Sequence, residues 1–266
     1  MKKELDFGVH FHQTFPPTPN YIGRILAIAD GQKRSSREVS DLTGIPQGES
    51  SGKVVPHLKY AAYMGLIEPD VSAPQLTPLG QLVLDEDRGC SEDLTQWLLH
   101  SRLCSAAGAP MWRFFVRDLL RQNRGNLSKE YLSSQMQARF GTVKYTPVLT
   151  TYQELSGINY LSTDRITGAI SLNSQRVHRE YLYLYGYDLL SEWAYLFPGQ
   201  NEITSIEMGV LASASCFALT ETQWFEVLEQ LSSVGICRIN KQLTPFTVIR
   251  MASTQSAEEN LYSLLI

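Results

Sequence analysis

The sequence predicts a mainly α-helical protein with small β-hairpins, built from tandem modules of similar design. Three observations lead to this fold class. Apolar residues recur at spacings of three and four, as on the buried face of a helix. Polar capping residues precede several of these runs, and glycines end them. Finally, a helix–glycine–strand junction recurs three times, at Met64-Gly65-Leu66-Ile67, Ser156-Gly157-Ile158-Asn159 and Val234-Gly235-Ile236-Cys237.

The first module is predicted within residues 1–84, after an N-terminal segment. Ser35 or Ser36 begins its second helix, with Glu38 placed for a capping box. Helices are expected near 19–30, 36–43 and 50–64, and strands near 66–68 and 75–77. Two helices, a recognition helix and a β-wing are the parts of a winged helix.

The same order of elements is predicted twice more. The second winged helix spans 110–175, with Asn126 or Ser128 capping the helix Lys129–Phe140. The third module spans 176–266, where Thr220 caps a long helix that Gly235 ends. Residues 85–109 are expected to form a helical linker between the first two modules. The predicted architecture is therefore a series of tandem winged-helix modules.

Composition limits the class of protein but does not reveal its function. The chain has 266 residues, 43% of them hydrophobic and 19% charged, with a net charge of −4. Such values are ordinary for a globular protein with a core. No apolar run is long enough to cross a membrane, and no export signal is seen, so we expect a cytoplasmic protein. The four cysteines form no C-x-x-C pair, which disfavours a structural zinc site.

The charge is distributed unevenly along the chain. Residues 31–60 carry five basic and three acidic groups, and residues 113–144 carry seven basic and two acidic groups. Residues 181–237 carry seven acidic groups and no lysine or arginine. Basic helical modules are typical of phosphate binding, although a solvated face with ordinary ion pairs would give the same pattern.

We therefore expect the first two modules to contact DNA. The recognition helix of the first module would expose Ser51, Lys53 and His57, and Lys144 would begin its counterpart in the second. The full set of predicted DNA-binding residues is Lys33, Arg34, Arg37, Ser50, Ser51, Lys53, His57, Lys144, Tyr145 and Thr146.

The third module is expected to bind protein rather than DNA. Its recognition-equivalent helix carries Glu221, Glu226 and Glu229, which phosphates would repel. Tyrosines at 181, 183, 185 and 187 would serve either as interface anchors or as one side of a half-buried element. The predicted partner is another protein or a second copy of the chain, forming a homodimer.

Most catalytic motifs are missing from the sequence. It has no phosphate-binding loop, dinucleotide fingerprint, nucleophile elbow or zinc-protease motif. His10 and His12 would share one face if they lay on a strand, and could there meet a metal or a phosphate. The alternative is that both are structural. His100 is expected to pack against Trp97.

Several of these residues occur in an order that resembles a known family. The landmarks are His12-Gln13-Thr14-Phe15, Thr77-x-Leu79-Gly80, Thr95-Gln96-Trp97-Leu98-Leu99-His100-x-x-Leu103 and Trp112-x-Phe114-Phe115. They resemble a bacterial domain-of-unknown-function family whose members are encoded beside DNA phosphorothioation enzymes. The match covers about residues 10–120.

The resemblance implies a cytoplasmic component of a sulfur-modification defence system, and the basic modules make DNA binding its expected role. The related protein of single-stranded phosphorothioation systems is thought to nick DNA, so the resemblance carries a nicking role onto His12 and Thr14. No cofactor is evident in the sequence. Mg²⁺ is the metal that such hydrolysis would use, but no carboxylate cluster marks a site for it. The alternatives are a winged-helix transcriptional regulator without catalytic activity and a non-catalytic scaffold for a sulfur-transfer complex.

Overall fold

The computed structural model describes residues 5–49, 51–164, 166–242 and 244–265. About half of the chain is helical. The helices are α1 (Pro19–Leu26), α2 (Ser36–Thr43), α3 (Val54–Tyr63), α4 (Pro78–Glu86), α5 (Asp93–Leu103), α6 (Pro110–Arg113), α7 (Lys129–Phe140), α8 (Thr146–Glu154), α9 (Leu182–Leu196), α10 (Ser205–Leu211), α11 (Ser213–Cys216), α12 (Glu221–Ser233) and α13 (Thr254–Glu259). The strands are β1 (Asn126–Leu127), β2 (Leu161–Thr163), β3 (Ile170–Leu172), β4 (Glu202–Thr204), β5 (Cys237–Asn240) and β6 (Thr247–Arg250).

The chain folds into two compact units. The first comprises Met1–Arg113 and Leu127–Ile170, and the second comprises Phe114–Asn126 and Ser171–Ile266. The predicted division into three modules and a linker stays a prediction, and it differs from this division into two units.

One order of elements recurs along the chain. The two sheets have the strand orders β1-β3-β2 and β4-β6-β5, so in each the last strand in sequence lies in the middle. The first module repeats this order with the single bridges Asp30–Gln75 and Ile67–Leu76. In all three places one extended segment precedes two or more helices, and two extended segments follow them.

The predicted starts of α2, α7 and α12 are confirmed at the residue level, whereas α3 begins at Val54 instead of near Ser50. Ser35 and Glu38 form a reciprocal capping box at α2, and Thr220 and Gln223 form another at α12. The Ser128 side chain caps α7. Each cap satisfies backbone N–H groups that the first helical turn leaves without partners.

Two local predictions were wrong. The first hairpin is reduced to single bridges instead of two strands. The helix expected across residues 112–120 is π-helical over Phe114–Leu120. β1 and β4 are too short to give a periodic sequence signal, and both were missed.

Arg117, one of the seven basic groups counted in residues 113–144, is buried in the structure. Its guanidinium is buried and donates to Asp188 Oδ1 at 2.5 Å and to the Leu211 carbonyl at 2.6 Å. Ser213 donates to the other Asp188 oxygen at 2.7 Å. These bonds join the π-helical segment to α9 and to the connection between α10 and α11, so the charge of Arg117 stabilises the core of the second unit.

The third module keeps its predicted acidic surface. Glu221, Glu226 and Glu229 are exposed on α12, and Glu229 accepts from Lys241 Nζ at 2.7 Å. Of the tyrosine run, Tyr181, Tyr185 and Tyr187 are buried, so most of it belongs to the core. Within the described part of the chain, no helix is long and apolar enough to cross a membrane.

Candidate nucleic-acid interface

An N-terminal segment, residues 7–18, covers one side of α3. Three α3 side chains spaced three residues apart bond to its backbone. Tyr63 Oη accepts from the Phe7 N–H at 3.0 Å, and Tyr60 Oη donates to the Phe15 carbonyl at 2.8 Å. His57 Nε2 accepts from the Thr18 N–H at 3.1 Å. A spacing of three places these side chains along one face of the helix, so the N-terminal segment occupies that face.

Aromatic packing holds the same segment. The Phe11 ring lies 4.9 Å from Tyr60, 4.8 Å from Tyr63 and 5.7 Å from Trp112, measured between centroids. All four side chains are buried. Such tilted and edge-on pairs add about 0.5–1.5 kcal/mol each beyond the area they bury. The cluster is therefore a core of the first unit.

His12 belongs to this core. Its side chain is 1% exposed, and its ring lies 5.9 Å from Trp112. Nδ1 accepts from the Thr14 N–H at 3.0 Å, and Nε2 is buried with no hydrogen-bond partner among the residues described. Burial lowers the pKa of His12 to about 4, with a smaller contribution from His10, so the ring is neutral at pH 7.

This arrangement corrects the prediction for the His10–His12 pair. Residues 9–14 form turns instead of a strand, so His10 is exposed while His12 is buried. The two rings therefore do not share a face. Thr14 is exposed, with φ of +76°. No DNA strand can reach the His12 imidazole in this conformation, so the structure gives no geometric support to a nicking centre at His12 and Thr14.

His57 also differs from its prediction as an exposed residue of the recognition helix. It is 0% exposed, and its Nδ1 donates to the Lys53 carbonyl at 2.6 Å while Nε2 accepts from Thr18. Burial lowers the pKa of His57 to about 4. α3 thus buries a polar side chain on the face that was expected to contact DNA. Residue type alone therefore does not identify the exposed face of this helix.

Most cations of the first module are already engaged. Arg34 forms a two-pronged ion pair with Asp30, at 2.6 and 2.7 Å, and also donates to the Ile28 carbonyl. Arg37 lies 3.4 Å from Asp41 on an exposed surface. Lys53 Nζ lies 5.7 Å from the centre of the Phe15 ring and 5.5 Å from that of Tyr21.

The other predicted residues of this module are Lys33, Ser50 and Ser51. Lys33 and Ser51 are exposed. Ser50 lies outside the described residues. Of the predicted set of the first module, Lys33, Arg37 and Ser51 are therefore exposed, whereas His57 is buried and Arg34 and Lys53 contact other groups.

The predicted DNA-binding residues of the second module are more exposed. Lys144 and Thr146 are exposed before and at the start of α8, and Tyr145 is half-buried. Tyr145 lines a shallow groove of about 440 Å³ together with α7. The lining residues are Lys129, Glu130, Ser133, Ser134, Gln137 and Tyr145. Hydroxyl, amide and ammonium groups of this kind hydrogen-bond to phosphate and sugar oxygens, whereas the Glu130 carboxylate of the same lining repels phosphate.

Sequence reasoning missed the α7 side of this groove. Lys129, Ser133 and Gln137 recur at intervals of four, so they lie along one face of a helix. That polar spacing was present in the sequence. What could not be read was that this face meets Tyr145, because the packing of α7 beside α8 is a tertiary feature.

Among the described residues, no three His, Cys, Asp or Glu side chains come together as metal ligands. Mg²⁺ is commonly held by one or two carboxylates together with substrate phosphates, so its involvement stays a prediction.

Two solved structures are similar to this chain. One is a crystal structure of SspB with a bound magnesium ion, with a TM-score of 0.76, and the other is a crystal structure of SspB with a TM-score of 0.73. Each is 13% identical in sequence, and the match covers 97% of this chain and 89% of that chain. SspB is part of a DNA phosphorothioation system. No family model and no curated protein matches the sequence. The likeness to SspB therefore concerns the fold.

Proposed function

From the fold shared with SspB, we propose that this protein is a DNA-binding component of a DNA phosphorothioation system. The fold similarity extends over 97% of the chain, and the sequence landmarks of residues 10–120 independently resemble a family encoded beside phosphorothioation enzymes. We further propose that the three recurrent segments are winged-helix modules. The repeated strand order, with the last strand central, supports that interpretation.

The second module makes the DNA contact in this proposal. The observation that carries it is the polar groove between α7 and Tyr145, with Lys129 in its lining and exposed Lys144 next to Tyr145 in sequence. Two cations supply attraction to phosphates, and the hydroxyl and amide groups supply hydrogen bonds that fix the strand's position. These contacts need no particular base sequence.

The third module docks another protein of the system in this proposal. Glu221 and Glu226 are exposed on the helix that corresponds to a recognition helix. Like charges would keep this face away from the DNA backbone. A protein with a basic surface is therefore the partner that fits it.

Strand nicking is the finer part of the function, and the geometry does not favour His12 for it. A plasmid assay separates binding from nicking. Supercoiled plasmid is incubated with the protein, with and without Mg²⁺, and His12→Ala is run beside the wild type. We expect the two proteins to behave alike. Nicking by the wild type that His12→Ala abolishes, while its DNA affinity is unchanged, would restore His12 as a catalytic residue.

Fluorescence anisotropy with a labelled duplex of about 30 bp tests the binding proposal. We expect affinity to fall steeply between about 50 and 200 mM salt, because bound counterions are released from phosphates. Lys129→Gln and Lys144→Gln should each weaken binding and lower the salt slope by about one. Arg238→Gln removes an exposed cation from the third module and serves as the matched control. Absence of binding at about 50 mM salt, or equal effects of all three variants, would overturn the proposal.

A further inference from the structure

Ile166 is an unusually exposed apolar side chain. It is 95% exposed, while the next large apolar residue of the described chain, Ile206, is 72% exposed. Single exposed apolar residues are common and need no explanation by themselves. Ile166 differs in its position, because it lies in the turn of the hairpin between β2 and β3.

The turn that carries Ile166 is held by hydrogen bonds. Asp164 Oδ1 accepts from the Ile166 N–H at 3.0 Å, from the Thr167 N–H at 2.7 Å and from Thr167 Oγ1 at 2.9 Å. Thr167 Oγ1 in turn accepts from the Ala169 N–H at 3.2 Å. Gly168 takes φ of +67°, a left-handed conformation that suits glycine. The backbone N–H of the isoleucine is therefore bonded to Asp164, and Thr167, which follows it, is bonded to Asp164 and Ala169.

The turn and the groove of the second module lie side by side. A Cβ placed on Gly168 would lie 3.8 Å from Lys129 Cβ and 3.9 Å from Lys129 Cδ. Lys129 also lines the groove with Tyr145. A DNA strand held at the groove would therefore pass close to the hairpin turn.

We propose that Ile166 is an apolar wedge that enters the DNA minor groove and partly unstacks one base step. This inference rests on the proposed DNA-binding function. Proteins that deform DNA insert isoleucine, leucine or phenylalanine between base pairs, and the bent duplex then wraps more of the protein surface, which offsets the loss of stacking. The hydrogen bond from the Ile166 N–H to Asp164 suits this role because it leaves less backbone freedom to be lost on binding. The inserted side chain locally distorts the DNA backbone that is bound at the protein groove beside Lys129.

Binding and base unstacking are measured together on one duplex. The duplex carries 2-aminopurine at successive positions of a central TA step, whose fluorescence rises when the base unstacks. Wild type is compared with Ile166→Ala and with Ile206→Ala, which removes the other highly exposed isoleucine from α10. Thr167→Val removes the two hydroxyl hydrogen bonds of the turn without changing charge.

We expect Ile166→Ala to lose the fluorescence increase and to bind about ten-fold more weakly, as loss of most of the apolar burial of an isoleucine predicts. Its salt slope should stay unchanged, because no phosphate contact is lost. Thr167→Val should reduce the signal, and Ile206→Ala should leave it intact. Thermal melts should be equal for wild type and Ile166→Ala, since the side chain is exposed.

Four results would overturn the inference, and they are distinguishable. If wild type binds with no fluorescence increase, or Ile166→Ala behaves as wild type, the wedge is absent while DNA binding stands. If the wild type does not bind DNA, the proposed function fails first. If Ile166→Ala binds and unstacks DNA normally but loses a co-purifying protein, the hairpin turn contacts that protein instead.

Discussion

His57 Nε2 accepts a hydrogen bond from the backbone N–H of Thr18 at 3.1 Å, thirty-nine residues away in sequence. The other ring nitrogen donates to the Lys53 carbonyl at 2.6 Å. One neutral imidazole thus joins the end of the N-terminal segment to the beginning of α3. Both bonds need the same tautomer, with the proton on Nδ1.

Replacing His57 by phenylalanine should destabilise the protein. The aromatic ring is kept, but the part-buried Thr18 N–H loses its partner, while the Lys53 carbonyl keeps the backbone N–H of residue 57. One unsatisfied group costs about 1–3 kcal/mol, so we expect a loss of about 1–3 kcal/mol in the free energy of unfolding. Urea unfolding measures it. His10→Ala, at an exposed position, should change stability by less than about 0.5 kcal/mol, and equal losses in both variants would contradict the assignment.

Stability should also fall as the pH drops from about 6.5 to about 4. Burial lowers the pKa of His57 and of His12 from 6.5 to about 4. Between these values the unfolded chain binds more protons than the folded one, so the free energy of unfolding decreases with falling pH. His57 alone contributes about 3 kcal/mol across this interval.

His12→Phe tests the share of His12 in that pH dependence. The substitution removes one titrating group and keeps a ring beside Trp112. We expect the slope of unfolding free energy against pH to become shallower between pH values of about 4 and 6.5. Urea midpoints measured at half-unit pH steps give this slope. A slope identical to that of wild type would show that His12 does not change its protonation on unfolding.

Helix starts were readable from the sequence because each depends on residues three apart. Ser35 with Glu38 and Thr220 with Gln223 form capping boxes at the predicted places. The burial of His57 was not readable. A histidine suits either a DNA contact or a buried hydrogen bond, and the choice depends on the N-terminal segment, whose packing on α3 is a long-range feature.

Part of the candidate site could likewise be predicted from residues close together in the sequence. Exposed Lys144 and Thr146 follow from their place before and at the start of α8. Arg34 was predicted to contact DNA and Arg117 was counted in the basic charge of its segment, but Asp30 and Asp188 are ion-paired with them. Asp188 is seventy-one residues from Arg117, and no local pattern identifies it as the partner.

Breaking the Arg117–Asp188 pair should cost more than removing an exposed cation. Arg117→Met leaves the Asp188 carboxylate buried beside Ser213 without its cationic partner. Loss of one member of a buried pair costs about 3–5 kcal/mol. Denaturant unfolding measures the loss, and the exposed Arg124 provides the control variant Arg124→Gln. The double variant Arg117→Met/Asp188→Leu should recover part of the loss, because the stranded charge is also removed. No recovery would show that the bonds to the Leu211 carbonyl and Ser213 dominate.

DNA affinity should depend more on the second module than on the first. Lys53 is held over the rings of Phe15 and Tyr21, and the N-terminal segment occupies the His57 face of α3. Lys129 lines an open groove instead. We therefore expect Lys53→Gln to weaken duplex binding less than Lys129→Gln, with little change in the salt slope, because a cation held by two rings releases fewer phosphate counterions. Anisotropy titrations at about 50, 100 and 200 mM salt give both the duplex affinity and its salt slope. A larger loss of affinity and slope for Lys53→Gln would move the main DNA contact to the first module.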